Sequence, residues 1–367
     1  MRVLIIAGGT GGHIFPGISI GQELAKNKTE ILFVGRSQGI ETEIIGRYKF
    51  DYKGISSSPL PRKLSLALIR SFFNWIRAFW ESLSILKQFK PQVIIATGGY
   101  VCFPLVLGGW FLRIPVVIHE QNTVPGISNR LSGKLAVKIT VTFEGSKKYF
   151  NSRKVLVTGN PVRTEILSVD RATAVKNLEL KGNRQTIFIL GGSAGAHSLN
   201  TALVEALDFL SEMKDKVQFI HLTGINDYES VKSAYQDKGY AGKVFPFMHD
   251  IQDAYWAADL IICRAGATTL AEITALGVPA ILVPYPFATA DHQRKNAQVL
   301  IAEGAGVMIL NRGLSGRSLS EEILKLIKDQ NKLAAMAANS RKLGRPEAAQ
   351  EIAKLVYSLG PKENIQC

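Results

Sequence analysis

The chain has 367 residues, 46% of them hydrophobic, and a formal net charge of +14, which is too long for one ordinary core and predicts two domains of about 150–200 residues each. Its cysteines, Cys102, Cys263 and Cys367, have no paired spacing, which excludes a disulfide framework and points to a reducing compartment. The charge is lopsided: of 44 Lys and Arg and 30 Asp and Glu, residues 1–163 hold 22 and 8 and residues 164–367 hold 22 and 22, so the first half is the one expected to meet an anionic partner.

The opening MRVLIIAGGTGG reads as a buried strand running into a glycine turn, not as a cleaved signal peptide. Short β-branched runs follow at 3–7, 31–34, 93–97, 116–119, 139–143 and 155–158, separated by helical patterns. Continuous apolar runs of this length suit strands covered on both faces by crossover helices, the parallel α/β arrangement. The rhythm resumes at 186–190, 217–222, 260–263, 280–283 and 307–310, so both halves read as Rossmann-like sheets. LIIAGGTGGH at 4–13 and FILGGSAGAH at 188–197 echo each other, and Gly159-Asn160-Pro161 places a linker near 160–165. This predicts a first domain over 1–163, a second over 164–340, and a terminal helix at about 341–359 that returns to the first. No apolar stretch of about 18 uncharged residues is present, hence no spanning helix is expected.

Three glycine turns stand after strands: Gly8 to His13, Thr97-Gly98-Gly99-Tyr100, and Gly191 to Ala196. Glycines let a backbone approach phosphate or sugar closely, and a following helix start favours negative charge. A tight strand-to-helix turn without ligand would use the same residues. The first turn is not G-x-G-x-x-G in its usual register, and Gly35-Arg36 stands where a dinucleotide fold would carry an acid, so hydride transfer is weakly supported. CRAGATTLAE at 263–272 follows another buried run, and Glu272 on the early turns of its helix either accepts from ribose hydroxyls or only complements the helix dipole. Asp291-His292-Gln293-Arg294-Lys295-Asn296 adds polar partners suited to a sugar. No D-x-D motif offers a divalent-ion site.

GGTGGHIFPG, ATGGYV, HEQNTVPGISNR, TGNPVR, GGSAGA, CRAGATTLAE and ADHQRKNA resemble, in order and spacing, the motifs of the MurG-type transferases, which make lipid II from lipid I. The resemblance implies an α/β GT-B fold, with parallel sheets facing a central cleft, the lipid-linked acceptor on the first domain and UDP-N-acetylglucosamine mainly on the second. It implies no cofactor and no metal. Carried onto this chain, Arg163 and Ser193 would contact the donor diphosphate, Asn122 the donor sugar, Met248 the uracil, Glu272 the ribose and Gln293 the sugar hydroxyls. Gly11 and Gly12 would serve twice, with Thr10 toward the donor and with Gly98 and Gly99 around the acceptor pyrophosphate, beside Tyr100. His13 is the expected base toward the acceptor hydroxyl, since an imidazole titrates near working pH; the alternative is a hydrogen bond to phosphate. Glu120 is a second base or an orienting group. The chain departs from the pattern at Cys102-Phe103 and at Ala194.

Residues 61–90 mix Leu64, Leu66, Leu68, Ile69, Phe72, Phe73, Trp75, Ile76, Phe79, Trp80 and Leu83 with Arg62, Lys63, Arg70, Arg77, Lys87 and Lys90. Charge breaks this segment too often for spanning, but it suits an anionic membrane surface, extended by Trp110 and Phe111, and predicts a peripheral protein on the cytoplasmic face of the bacterial membrane. Other envelope-synthesis proteins are the further expected partners. Alternatives on the same fold are a glycolipid synthase or a UDP-N-acetylglucosamine epimerase, which would need no acceptor. A basic RNA- or membrane-binding protein would show a steep salt slope but leaves Glu272 and Gln293 without a purpose, so no nucleic-acid partner is expected.

Overall fold

The computed structural model describes residues 1–56, 66–192 and 195–361, with side chains of 66–73 outside the description. The chain forms two compact units, one of Met1–Arg163 joined by the chain from Pro346 onward, the other of Thr164–Arg345. In the first, strands β1 (Arg2–Ile6), β2 (Glu30–Arg36), β3 (Asp51–Ile55), β4 (Val93–Ala96), β5 (Val116–Glu120), β6 (Lys138–Val141) and β7 (Val155–Val157) form a parallel sheet in the order β3-β2-β1-β4-β5-β6-β7. Helices α1 (Gly11–Ala25), α2 (Ile40–Arg47), α3 (Leu66–Phe89), α4 (Cys102–Phe111) and α5 (Ile127–Leu135) make the crossovers. Chain direction reverses across the sheet between β1 and β4, and at such a switch point the carboxyl ends of neighbouring strands leave a crevice.

The second unit repeats this plan. Strands β8 (Gln185–Leu190), β9 (Val217–Leu222), β10 (Gly242–Phe245), β11 (Leu260–Cys263), β12 (Ala280–Leu282) and β13 (Gly306–Met308) run parallel in the order β10-β9-β8-β11-β12-β13. Around them lie α6 (Arg171–Asn177), α7 (His197–Phe209), α8 (Tyr228–Asp237), α9 (Ile251–Ala257), α10 (Ala267–Leu276), α11 (His292–Ala302), α12 (Gly316–Ile327) and α13 (Gln330–Leu343). The switch point here falls between β8 and β11. The last helix, α14 (Ala348–Leu359), belongs to the first unit and lies on α1.

The central strands are buried on both faces: Val3 to Ile6, Val93 to Ala96, Val116 to Ile118 and Leu260 to Cys263 are closed to solvent. That is the physical reason their sequences run apolar without alternation. β3 and β10 were not among the expected strands. Each is an edge strand paired on one side only, and DYKGI and GKVF are half-exposed, so neither shows a continuous apolar run. α14 buries Ile352, Ala353 and Val356 in the core shared with Ile14, Ile18 and Leu24 of α1, and the Tyr357 hydroxyl donates to Leu24 O at 3.0 Å. Replacing the fully buried Ile352 with Ala is expected to lower stability by about 2–4 kcal/mol; urea unfolding should show the loss in the transition of the first unit while that of the second keeps its midpoint.

Candidate functional site

The first unit gathers its candidate groups at the carboxyl ends of β1, β4 and β5. Gly9 (φ +98°), Gly98 (φ +127°) and Gly99 (φ +90°) take backbone conformations that side chains resist. Space forbids side chains at the second turn as well. A Cβ at 98 would stand 2.5 Å from His13 Nδ1, and one at 99 would stand 2.4 Å from Gly8 O. The two turns therefore close on each other. Cys102, the departure noted in the sequence, lies beneath them, its thiol donating to Gly98 O at 2.9 Å; burial pushes that thiol up to about 12, which keeps it protonated and inert.

His13 is half-buried in the first turn of α1. Its Nδ1 lies 3.0 Å from Thr97 O and 3.2 Å from Gln121 Oε1. Gln121 is oriented by its own amide, whose Nε2 donates to Thr97 O at 2.6 Å. Both groups facing Nδ1 are acceptors, so Nδ1 carries the proton and the neutral ring keeps its lone pair on Nε2. Thr97 Oγ1 lies 2.8 Å from His13 O and 3.0 Å from Ile6 O, tying the helix start to both strands.

Glu120 ends β5 and is 1% exposed. Asn122 N donates to Oε1 at 2.9 Å and Asn129 Nδ2 to Oε2 at 2.8 Å. The carboxyl thus holds the 120–129 loop through both of its oxygens. Burial raises it from the ordinary 4.5 to about 7, against the pull of those hydrogen bonds. Beside it His119 is buried, its ring 2.9 Å from Asn160 Oδ1 and 3.0 Å from Thr140 Oγ1, with burial pushing it down to about 4 so that it stays neutral. Arg163 places its guanidinium over the Phe15 ring at 4.6 Å. Thr10 is exposed as the N-cap of α1, makes no side-chain cap bond, and precedes a first turn without an acid. Tyr100 is half-buried.

In the second unit the turn after β8 lies beside the turn after β11. Ser193 and Ala194 lie outside the described residues; on either side, Gly195 N donates to Gly192 O at 3.0 Å and α7 begins at His197. Glu272 is 2% exposed, in the second turn of α10. Met248 is half-buried between Phe247 and His249, whose rings lie 4.8 Å apart. Gln293 Oε1 accepts from Tyr285 N at 2.9 Å, which holds the 284–291 loop to α11, and Ala290 and Asp291 in that loop have φ of 52° and 55°.

Four residues, Arg264, Gln121, Arg36 and Glu41, were given no site role from the sequence. Arg264 is 9% exposed; it donates to Ser198 Oγ at 2.7 Å, Asn311 Oδ1 at 2.9 Å and Val283 O at 3.1 Å, while its Nε has no hydrogen-bond partner. It pins the start of α7 to the ends of β11, β12 and β13. Gln121 and the pair Arg36 with Glu41 were likewise missed, although Gln121 stands inside the quoted HEQN.

On the outer face, α3 and α4 pack together and leave Trp80, Trp110 and Phe111 at 65%, 55% and 68% exposure. Trp75 stacks on Phe79 at 6.4 Å and leans on Phe103 at 5.8 Å. Arg62, Lys63 and Leu64, and the side chains of Leu66, Leu68, Ile69, Arg70, Phe72 and Phe73, lie outside the described residues, as does Cys367. Among the described residues, no helix is long and apolar enough to cross a membrane.

Residues 3–141 match the glycosyltransferase family 28 N-terminal domain and residues 186–352 the family's C-terminal domain. A Desulforamulus reducens protein described as UDP-N-acetylglucosamine--N-acetylmuramyl-(pentapeptide) pyrophosphoryl-undecaprenol N-acetylglucosamine transferase is 41% identical, over 99% of this chain and 100% of its own. The crystal structure of Acinetobacter baumannii MurG superimposes with a TM-score of 0.78 at 30% identity, covering 97% and 99% of the two chains. A Neisseria meningitidis UDP-GlcNAc 2-epimerase bound to UDP-GlcNAc has a TM-score of 0.69 at 17% identity, covering 98% and 100%, and shares the fold alone.

Glu120 makes stability depend on pH. Its proton is held more tightly in the folded chain than in the unfolded one, so it adds nothing unfavourable below about pH 4.5 and costs stability as pH rises toward 7. Relative to Glu120→Gln, the wild type should lose on the order of 1–3 kcal/mol between pH 4.5 and 8; urea titrations of both proteins across that range check the slope.

Proposed function

Because the chain belongs to glycosyltransferase family 28, we propose that it transfers N-acetylglucosamine from UDP-N-acetylglucosamine to lipid I, a pyrophosphoryl-polyprenol-linked N-acetylmuramyl peptide, giving lipid II of peptidoglycan synthesis. The observation that carries the reading is the 41% identity to an N-acetylglucosamine transferase along practically the whole length of both chains. It favours transfer over epimerisation, for which the likeness is one of fold at 17% identity.

In this reading the first unit takes the acceptor and the second the UDP-sugar. The acceptor hydroxyl oxygen attacks the anomeric carbon, the bond from that carbon to the diphosphate oxygen breaks with its electron pair leaving on UDP, and configuration inverts. His13 Nε2 receives the hydroxyl proton, a role suited to a ring whose Nδ1 proton is engaged by Thr97 and Gln121. Gly98, Gly99 and Tyr100 serve the acceptor side. Thr10, Gly11, Gly12, Asn122, Arg163, Ser193, Met248, Glu272 and Gln293 serve the donor. The helix starts at α7 and α10, with Arg163, take up charge on the departing diphosphate. Glu120 orients Asn122 through the bond to its backbone N–H.

A reaction on a lipid-linked sugar brings the enzyme to a bilayer. Trp80, Trp110 and Phe111, on the unit with the excess of Lys and Arg, suit insertion among anionic headgroups, consistent with a peripheral protein on the cytoplasmic face of the membrane, where other envelope-synthesis proteins work.

Release of UDP on mixing the protein with UDP-N-acetylglucosamine and a lipid I analogue is the expected result, with no change in the UDP-sugar when the acceptor is omitted; a folded preparation that releases none would overturn the assignment. His13→Ala should lower kcat by about 10²–10⁴-fold with little effect on the donor's KM, and unchanged turnover would remove His13 from proton transfer. In sedimentation with phosphatidylglycerol vesicles, Trp80→Ser/Trp110→Ser/Phe111→Ser should bind at least tenfold more weakly than the wild type.

A further inference from the structure

Among the described residues of the first unit, a half-buried arginine pairs with a carboxylate closed to solvent, a pair that the reaction does not use, and that pair grips the glycine turn. Arg36 is the last residue of β2, where a dinucleotide fold carries the acid that holds a ribose. Its Nε and Nη2 donate to Oε1 and Oε2 of Glu41 at 2.6 and 3.0 Å. Glu41, in the first turn of α2, is fully closed to solvent. The same Oε1 accepts from Gly9 N at 2.8 Å, and Arg36 Nη2 reaches Gly9 O at 3.4 Å. Tyr100 of the neighbouring turn stands near enough to help Glu41 raise the hold of Arg36 on its proton, and Tyr52 donates to Arg36 O at 2.5 Å.

For stability alone, a well-packed apolar pair of the same volume would serve as well as a buried ion pair. An apolar pair, however, cannot bond both peptide groups flanking Gly9. The charges matter for what comes next to them. An unpaired carboxylate against the turn would repel a pyrophosphate, whereas the pair is neutral. With Gly9 N–H taken by Glu41, the place left to an anion is the start of α1, whose first turn holds no acid and whose Thr10 makes no side-chain cap bond.

We propose that Arg36 and Glu41 are positioning residues for the acceptor pyrophosphate: Glu41 fixes the Gly8–Gly9 turn, and Arg36 cancels its charge while reaching the carbonyl of that same turn. The substrate named here rests on the transfer reading above; the clamp on the turn does not.

Two measurements separate the parts. Amide hydrogen exchange over residues 9–13 should be at least tenfold faster in Glu41→Ala and close to wild type in Glu41→Gln, which still accepts from Gly9 N. In steady-state transfer with a lipid I analogue, Arg36→Met should raise the acceptor KM about 30-fold or more with the donor KM within twofold, because it leaves a bare carboxylate at the turn. The double variant Arg36→Met/Glu41→Met, whose apolar pair protects the fold, should raise the acceptor KM less than Arg36→Met alone. That ordering is what a merely structural pair would not give. Equal acceptor KM values in Arg36→Met and wild type, or a larger effect in the double variant, would overturn the positioning role. Unchanged exchange in Glu41→Ala would overturn the clamp, and a wild type that transfers nothing would sink the transfer reading while exchange still judges the clamp.

Discussion

A carbonyl oxygen 2.4 Å from where a Cβ would sit is an absolute prohibition, and Gly99 meets it at Gly8 O. Because neither residue has a side chain, the turns after β1 and β4 press together at the point where chain direction reverses across the sheet. Everything else at that end is arranged around this contact. Thr97 bonds the backbone of β1 and of the start of α1, Cys102 supports Gly98 from below, Ser128 donates to Gly99 O from above at 3.0 Å, and Gln121 closes the side toward His13. The imidazole is thus placed by backbone geometry and not by a flexible tether, and its tautomer is set by two acceptors that are themselves fixed.

The second unit solves a related problem with different chemistry. It has the same strand order about its switch point, but its turns are tied by a buried guanidinium. Arg264 joins four separate segments, among them Ser198 at the start of α7 and Asn311 after β13. Among the described residues none of its hydrogen-bond partners is a carboxylate, and burial lowers its affinity for the proton. A positive charge held this way beside two helix starts makes that end of the unit a poor place for a cation and a good one for a diphosphate. The first unit's neutral pair and the second unit's uncompensated Arg264 therefore set two different electrostatic conditions at the two switch points.

What could be read from the chain follows what burial does to sequence. Strands covered on both faces must be apolar throughout, so β1, β4, β5, β8 and β11 stood out, whereas β3 and β10 pair on one side and left no such trace. Glycine turns were legible because steric prohibition has a residue signature. Side-chain networks were not. Gln121 and Arg36 are ordinary polar residues whose roles depend on partners 108 and 5 positions away respectively, and nothing in a linear pattern distinguishes a glutamate that holds a loop from one that meets solvent. Glu120 shows the limit from the other side: the residue stood out in the chain, but that Asn122 and Asn129 occupy both of its oxygens is visible only in the fold.

The return of α14 to α1 gives the chain an order of assembly during synthesis. The apolar stripe of α1 that receives Ile352, Ala353 and Val356 is made within the first 25 residues, yet its cover emerges only after the whole second unit has been translated. At ribosomal speeds of about 5–20 residues per second, that stripe waits roughly 15–65 s before it can be closed. The inserted unit is complete in itself and can fold during that interval, so the part made first is the part finished last, and a nascent chain halted after residue 345 would expose to chaperones a greasy surface that the mature protein hides.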